Sequence, residues 1–145
     1  MTSAAPTTQA ALLRFFRAID ERAWDDLATL LAERVTLDYV SVFGGQVETL
    51  AREEVLARWR GLLPGFDATQ HFVAALVDLD GDGVLEGNVR GYHHLDGDTW
   101  MVAGWYRLTV AESKVGPQVA GIVLTLGYET GSRELVERAQ QRAGG

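Results

Sequence analysis

Apolar residues near the N-terminus recur at the spacing of an α-helix. In residues 7–23, a helical stripe is formed by the apolar residues Leu12, Leu13, Phe16, Ile19 and Ala23. The segment "WDDLATLLAER" is predicted to be a second, shorter helix. A third helix is predicted in "AREEVLARWRGLL", because Pro64 and Gly65 then end it. Between the second and third helices, "VTLDYVSV" has the composition of a strand, and "FGGQVETL" that of a turn and a short strand.

The second half of the chain alternates apolar and polar residues with a period of two. This predicts long strands at residues 69–79, 84–95 and 99–111 and in "QVAGIVLTLGYE", before a charged terminal helix, "RELVERAQQRA". Helices first and a long antiparallel sheet afterwards indicate an α+β fold. We expect one domain over residues 9–145, preceded by a flexible tail of residues 1–8.

The segment "LVDLDGDGVLEG" joins the first two of these long strands and is similar to a calcium loop. Counted from Asp78, however, the twelfth position holds Val89 and not the bidentate Glu that an EF-hand requires. The flanking segments also have the pattern of strands and not of helices. A hairpin turn is therefore the favoured interpretation.

The length of this turn decides which side chains face each other. A two-residue loop would pair His71 with Tyr92, whereas a three-residue loop over residues 81–83 pairs His71 with His93. We favour the second register, because it places both imidazoles on one apolar face of the sheet. His94 then points to the opposite face.

Composition and charge narrow the functional classes. A chain of 145 residues with 47% hydrophobic residues can bury a core, and a net charge of -7 disfavours nucleic acid and anionic membranes as partners. The absence of Cys excludes a thiolate metal site and a cysteine nucleophile. "MTSAAPTTQ" lacks the features of a signal peptide and the longest apolar run is too short to span a membrane, so we expect a cytoplasmic protein.

Four segments, in this order, carry a family resemblance: "AIDERAWDDLATLLAERVTLDY", "TQHF", "GYHHL" and "YETGSRELVERA". The chain resembles the SnoaL-like branch of the nuclear-transport-factor-2-like (NTF2-like) superfamily, and within it the scytalone dehydratases. The resemblance implies an α+β cone, in which a curved antiparallel sheet wraps around N-terminal helices and an internal pocket. It also implies that His71 is a catalytic histidine, Asp20 its paired carboxylate and Tyr39 a phenol in the pocket.

The residues themselves support this pairing. Asp20 lies at the margin of the apolar helical stripe, where a charge needs a partner, and a carboxylate beside His71 would fix the tautomer of the imidazole. Two simpler interpretations stay open. Asp20 is also suited to cap the second helix, and His71 to be a core histidine bonded to backbone.

The chain departs from the dehydratase pattern at several pocket positions. Ile19 replaces a tyrosine, and Trp100 and Val102 replace a serine and an asparagine, so the pocket is expected to be more apolar. The dehydratase's second catalytic histidine has no clear match, and His93, on the same face as His71, is the candidate to replace it.

No metal and no cofactor are predicted. Asp20, His71 and His93 have the ligand types of a two-histidine, one-carboxylate iron site, but no ligand motif fixes their geometry. "GDGVLEG" joins two strands and fails as a dinucleotide fingerprint, and no nucleophile elbow is present.

Our functional hypothesis is a small cofactor-independent enzyme that performs general acid/base chemistry next to a carbonyl. The reaction would be a dehydration, cyclisation or isomerisation of a cyclic, apolar, polyketide-like or aromatic metabolite. His71, oriented by Asp20, would be the base and then the acid, Tyr39 would hold the substrate oxygen, and His93 would carry a second proton. The predicted substrate-binding residues are Phe16, Trp59, Val89, Trp100, Val102 and Tyr106. The alternative is a non-catalytic ligand-binding domain or assembly subunit.

A homodimer is expected through the convex face of the sheet. Five large apolar residues alternate onto the face opposite His71: Phe72, Leu76, Tyr92, Met101 and Trp105. An apolar group of this size is rarely left in contact with water.

Overall fold

Helices and a single sheet form the domain in the computed structural model, which describes residues 2–3 and 6–145. The helices are α1 (Pro6–Glu21), α2 (Trp24–Leu30), α3 (Val40–Phe43), α4 (Arg52–Arg60) and α5 (Glu134–Gly144), with a 3-10 turn at Leu63–Gly65. The strands are β1 (Thr2–Ser3), β2 (Leu31–Asp38), β3 (Glu48–Ala51), β4 (Ala68–Asp78), β5 (Val84–Leu95), β6 (Asp98–Ser113) and β7 (Gly116–Thr130). None of the helices in the described ranges combines the length and apolar character that a bilayer crossing requires.

The seven strands form one curved, open sheet in the order β1-β4-β5-β6-β7-β2-β3. Most neighbours are antiparallel, but β2 runs parallel to β7, so the expectation of a wholly antiparallel sheet is wrong in this one pair. Helix α2 leads directly into β2, which lies at the side of the sheet between β7 and β3. The architecture confirms the predicted α+β cone.

The core lies between α1 and the concave face of the sheet. Leu12, Phe16 and Ile19 of the predicted stripe are buried, with 1%, 6% and 7% of their surface exposed. The prediction is wrong for Leu13, which is 60% exposed, and it missed Phe15, which is fully buried. Full burial of such a side chain contributes about 1.5–3 kcal/mol to stability. The concave face of the sheet supplies the other half of this core, including Leu108 and Val119.

Three predicted boundaries differ from the structure. Residues 6–8, assigned to a flexible tail, belong to α1, while residues 1, 4 and 5 lie outside the described residues. Residues 31–34 are strand and not helix, because Leu31 pairs with Val119 and is fully buried. Residues 40–42, predicted as strand, form the helical turn α3.

The β4–β5 hairpin has a different register from the predicted one. His71 pairs with Gly91 and not with His93, which pairs with Thr69. A bulge between Ala74 and Val77 shifts the ladder by one residue, and this shift could not be read from the turn. Both histidines nevertheless lie on the concave face.

The side chain of Asp78 closes the tip of this hairpin. The side chain of Asp78 accepts hydrogen bonds from the backbone N–H groups of Gly81, Asp82 and Gly83, at 2.7, 3.2 and 2.8 Å. Gly81 and Gly83 have positive φ of 73° and 81°, which favours glycine. The loop is longer than the predicted three residues, because the last pair of the ladder joins Asp78 and Leu85.

The convex face carries an exposed aromatic patch, defined by Phe72, Trp105 and Tyr128. These side chains are 63%, 44% and 51% exposed. Two residues predicted for this face do not contribute to the exposed area. Leu76 packs against the core, because the bulge reverses its direction, and Met101 is buried. Tyr92, the other predicted residue, is partly buried beside the patch.

Candidate active site

A carboxylate and an imidazole meet at the end of α1. Oδ1 of Asp20 lies 2.7 Å from Nδ1 of His71 and also accepts the hydroxyl hydrogen of Thr69 at 2.9 Å. Oδ2 of Asp20 accepts the backbone N–H of His71 at 2.8 Å. Since β4 carries both Thr69 and His71, the strand holds the carboxylate from three donors and fixes the position of the pair.

These bonds decide between the interpretations of Asp20. The residue at the N-terminus of α2 is Ala23, and no side chain caps that helix. Asp20 is therefore not a helix cap. His71 likewise bonds a carboxylate through its ring and not a backbone carbonyl.

The pair is partly shielded from water, with the side chains of His71 and Asp20 12% and 18% exposed. Burial alone would raise the pKa of Asp20, but the hydrogen bonds and positive charge of His71, with the Thr69 hydroxyl, bring this pKa below its ordinary value. The carboxylate is thus ionised at neutral pH and accepts the proton on Nδ1 of His71. In neutral His71, Nε2 is left as a proton acceptor.

This imidazole opens on a cavity of about 470 Å³ between the helices and the concave face of the sheet. The structure brings together here all of the predicted site residues except Asp20, which lies behind His71: Phe16, Tyr39, Trp59, His71, Val89, His93, Trp100, Val102 and Tyr106. Most of the remaining wall is apolar, as the departures from the dehydratase pattern predicted.

Several site residues were missed by sequence reasoning. Thr69 was detectable, because it precedes His71 by two residues and so shares its face. Arg58 and Gln140 give the cavity lining two further polar side chains, and Arg58 is held by Glu48 at 2.8 Å. No local pattern marks these two, because their positions depend on where α4 and α5 pack.

His93 is buried in the cavity wall. Its Nδ1 lies 3.1 Å from the carbonyl oxygen of Trp100, and its ring packs against the rings of Trp100 and Phe66 with centroids at 4.6 and 5.1 Å. Burial, and then the positive charge of His71, lower the pKa of His93 to about 4. His93 is therefore neutral at neutral pH, with the proton on Nδ1.

The two imidazoles approach each other edge to face, with ring centroids 5.8 Å apart. Gly91 lies beside both of them. A Cβ at this position would come 3.3 Å from Cε1 of His93 and 3.7 Å from Nε2 of His71. The missing side chain thus keeps the space next to both rings open. His94 points away, as predicted, and bonds the hydroxyl of Thr99 at 2.6 Å.

Trp100 is fixed from outside the cavity. Its Nε1–H donates to Glu129 at 2.8 Å, and Glu129 is paired with Arg133, which also donates to the carbonyl oxygen of Val42. Phe43, next in the chain, packs against Trp100 with ring centroids 6.1 Å apart. The start of α5 therefore braces both this wall and the helical turn α3.

The candidate iron ligands are not arranged around a common point. Asp20 and His71 are bonded to each other, and Nδ1 of His93 is bonded to backbone. Within residues 2–3 and 6–145, no three His, Asp or Glu side chains cluster as metal ligands would.

The α+β cone is the fold of the NTF2-like class of proteins. The SnoaL-like domain model matches residues 8–114. The chain therefore belongs to the SnoaL-like family, in agreement with the resemblance in its sequence. No curated protein sequence matches the chain.

Solved structures share the fold over most of their length. The Kfla4162 protein from Kribbella flavida is similar with a TM-score of 0.78 and 24% identity, over 98% of this chain and 100% of that one. A candidate scytalone dehydratase from Novosphingobium aromaticivorans has a TM-score of 0.67 and 16% identity, over 86% and 85%. A hexachlorocyclohexane dehydrochlorinase, LinA-type3, from Novosphingobium barchaimii has a TM-score of 0.67 and 14% identity, over 86% and 87%. At these identities the likeness establishes the fold alone.

Proposed function

We propose that the protein is a small enzyme that performs general acid/base chemistry next to a carbonyl group of a cyclic, apolar compound. The reaction class is dehydration, cyclisation or isomerisation. One observation carries the proposal: the Asp20–His71 pair opens on a mainly apolar cavity of about 470 Å³. Two fold neighbours whose names denote elimination chemistry, a candidate dehydratase and a dehydrochlorinase, support the same class.

In this mechanism Nε2 of His71 takes a proton from the carbon next to the carbonyl. The C–H electron pair moves into the carbonyl group, and Tyr39 donates a hydrogen bond to the oxygen as negative charge develops there. In a dehydration, the C–O bond to a β-hydroxyl then breaks, and His71 returns its proton to that oxygen so that water leaves. In an isomerisation, His71 returns the proton to a different carbon. Asp20 stabilises the imidazolium between the two steps.

This mechanism gives both proton transfers to His71. The sequence predicted that His93 carries the second proton, but a group whose pKa is about 4 is a weak base at neutral pH. We therefore assign His93 to the wall of the cavity. The ligand, in this proposal, is a small hydrophobic ring compound.

The test is exchange of hydrogen for deuterium next to the carbonyl of 2-tetralone, a cyclic ketone, in D2O. We expect the wild-type protein to accelerate exchange over buffer, as followed by NMR, and His94→Asn to match it, because His94 lies outside the cavity. A non-catalytic binding domain on the same fold is the alternative. It predicts that the ketone binds while its exchange rate stays at that of buffer.

We further propose a homodimer through the aromatic patch of Phe72, Trp105 and Tyr128, which crosses three strands of the convex face. Light scattering should report twice the mass of the chain at micromolar concentration. Trp105→Arg should shift the protein toward the monomer, because a buried unpaired charge opposes association. Leu13→Arg, at an exposed leucine on α1, is the control. A monomeric wild-type protein would contradict the proposal.

A further inference from the structure

The wall of the cavity contains a permanently charged side chain. Among the described residues that line it, Arg58 of α4 alone has such a charge, and most of the others are apolar. The side chain of Arg58 is 53% exposed, whereas that of His71 is 12% exposed. Arg58 therefore lies where the cavity opens to solvent, and His71 lies deeper in it.

Arg58 and His71 line different parts of the cavity. Arg58 is bonded to Glu48 on β3, whereas His71 lies on β4, and four strands separate β3 from β4 in the sheet. The wall between them is aromatic, with successive ring centroids 6.1, 5.1 and 6.3 Å apart in the series Trp59, Phe15, Phe16 and His71. A ligand in the cavity thus meets His71 at one end of this aromatic wall and Arg58 at the other.

Glu48 holds the guanidinium of Arg58 in a fixed orientation. Nη1 and Nη2 of Arg58 donate to Oε1 and Oε2 of Glu48, both at 2.8 Å. A bidentate pair of this kind fixes the plane of the guanidinium, which a single contact between exposed charges does not. The pair uses two of the five N–H groups of Arg58, and within residues 2–3 and 6–145 no protein acceptor binds the other three. Arg58 thus presents hydrogen-bond donors at a defined position.

The charges around Arg58 favour an uncharged acceptor. The hydrogen bond with Glu48, and then the charges of Glu48 and Glu54, raise the pKa of Arg58, so the guanidinium stays ionised. Its positive charge is offset by Glu48, and both glutamates would repel a ligand carboxylate. A hydroxyl or carbonyl oxygen can accept an N–H group without this repulsion. The ligand group that fits here is therefore a neutral oxygen substituent.

We propose that Arg58 is a specificity-determining residue that binds a neutral oxygen substituent, a hydroxyl or carbonyl group, at the end of the substrate farthest from His71. The inference rests on the proposed function and narrows its substrate class. The substrate is apolar in the middle and oxygenated at both ends, with the reacting carbonyl at His71 and a second oxygen at Arg58. Glu48 is the positioning residue that holds the guanidinium.

The test compares three 2-tetralones that differ only at position 6, at the end of the molecule opposite the ketone. The substituents are hydroxyl, methyl and carboxylate, and isothermal titration calorimetry measures binding. Wild-type protein should bind the 6-hydroxy compound about fivefold more tightly than the 6-methyl compound, the scale of one hydrogen bond, and the 6-carboxylate least tightly. Arg58→Met should remove the preference for hydroxyl and leave the affinity for the 6-methyl compound unchanged.

The matched control is Arg60→Met in the same helix. Arg60 is exposed, lies over the ring of Trp24 and does not line the cavity, so this variant should bind all three compounds as wild type does. If Arg58→Met weakens the three compounds equally, or none of them, Arg58 does not recognise the substituent and the proposal fails. A wild-type preference for the 6-carboxylate would also overturn it.

A second variant changes the charge and retains Arg58. Glu48→Gln removes the compensating charge but keeps a side-chain oxygen that accepts from the guanidinium. It should strengthen binding of the 6-carboxylate about tenfold, because the charge of Arg58 is then uncompensated, and leave the 6-hydroxy compound near wild type. Unchanged binding of the 6-carboxylate would show that the ligand does not reach Arg58.

Calorimetry records binding alone, so its result is separate from that of the proposed reaction. Deuterium exchange into 2-tetralone without a preference that depends on Arg58 would retain the proposed function and reject this subsite. A preference that Arg58→Met removes, beside exchange at the rate of buffer, would retain the oxygen-binding subsite and reject the reaction. Failure of the wild-type protein to bind any of the three compounds would contradict both proposals.

Discussion

Replacing His71 with asparagine is expected to reduce turnover by about 10²–10⁴-fold, the usual contribution of a general base. The fold and the ligand affinity should stay within about tenfold of wild type, because the asparagine amide can still donate to Asp20 in place of Nδ1. Deuterium exchange into 2-tetralone measures the loss, and His94→Asn measures the effect of removing a histidine outside the cavity.

The companion variant Asp20→Asn should lose less activity. It removes the charge that stabilises the imidazolium and weakens the orientation of His71, but it leaves the proton acceptor in place. The order of the two losses is the decisive result. An inactive Asp20→Asn protein beside a nearly active His71→Asn protein would make Asp20 the base. Full activity in both would place the chemistry elsewhere in the cavity.

The protein is expected to lose about 3 kcal/mol of stability between pH 6.5 and pH 4, because of His93. The pKa of His93 is about 4 in the folded protein, against 6.5 as its ordinary value. Between these values the unfolded chain binds a proton that the folded protein does not, so falling pH favours unfolding. The contribution is fully present above pH 6.5 and is lost by pH 4.

Denaturant unfolding at several pH values, followed by tryptophan fluorescence, measures this slope. His93→Gln should be less stable at neutral pH and should lack most of the slope, whereas His94→Gln, at an exposed histidine, should retain it. Asp20 affects the stability of the protein at a lower pH than His93 does. Its pKa is lowered on folding from an ordinary value of 3.8, so its contribution is present above that pH and is lost as the pH falls through the lower pKa of the folded protein. An unchanged slope in His93→Gln would show that other groups dominate.

The sequence carried most of the information about which face each residue occupies. Helical spacing identified the buried stripe of α1, and alternation with a period of two placed Trp100, Val102 and Tyr106 on one side of β6. The cavity lining follows from these local periodicities, because a curved sheet places all of its concave positions around one space. The family resemblance paired Asp20 with His71, the need of a partly buried charge for a partner supported that pairing, and the structure joins the two side chains.

Features set by contacts between distant segments were not predictable in this way. The predicted register of β4 and β5 started from a three-residue turn, but the tip pairs Asp78 with Leu85, one residue away from the prediction. The bulge between Ala74 and Val77 then adds a second residue of shift. The apolar spacing of a helix continues in the sequence through residues 31–34, but these residues form a strand because Leu31 pairs with Val119 of β7. Arg58 reaches the cavity because of the way α4 packs, and the sequence around Arg58 does not predict that packing.

The bulge in β4 changes which residues face the core: odd-numbered residues such as His71 do so before it, and even-numbered residues such as Leu76 do so after it. From Ala74 to Val77, β4 advances three residues while β5 advances two, so β4 carries one extra residue at the bulge. Deletion of one residue within 74–77 would therefore restore regular pairing, and His71 and Leu76 would both keep the concave face. This segment of β4 is thus expected to tolerate the loss of one residue in evolution without a change in the cavity.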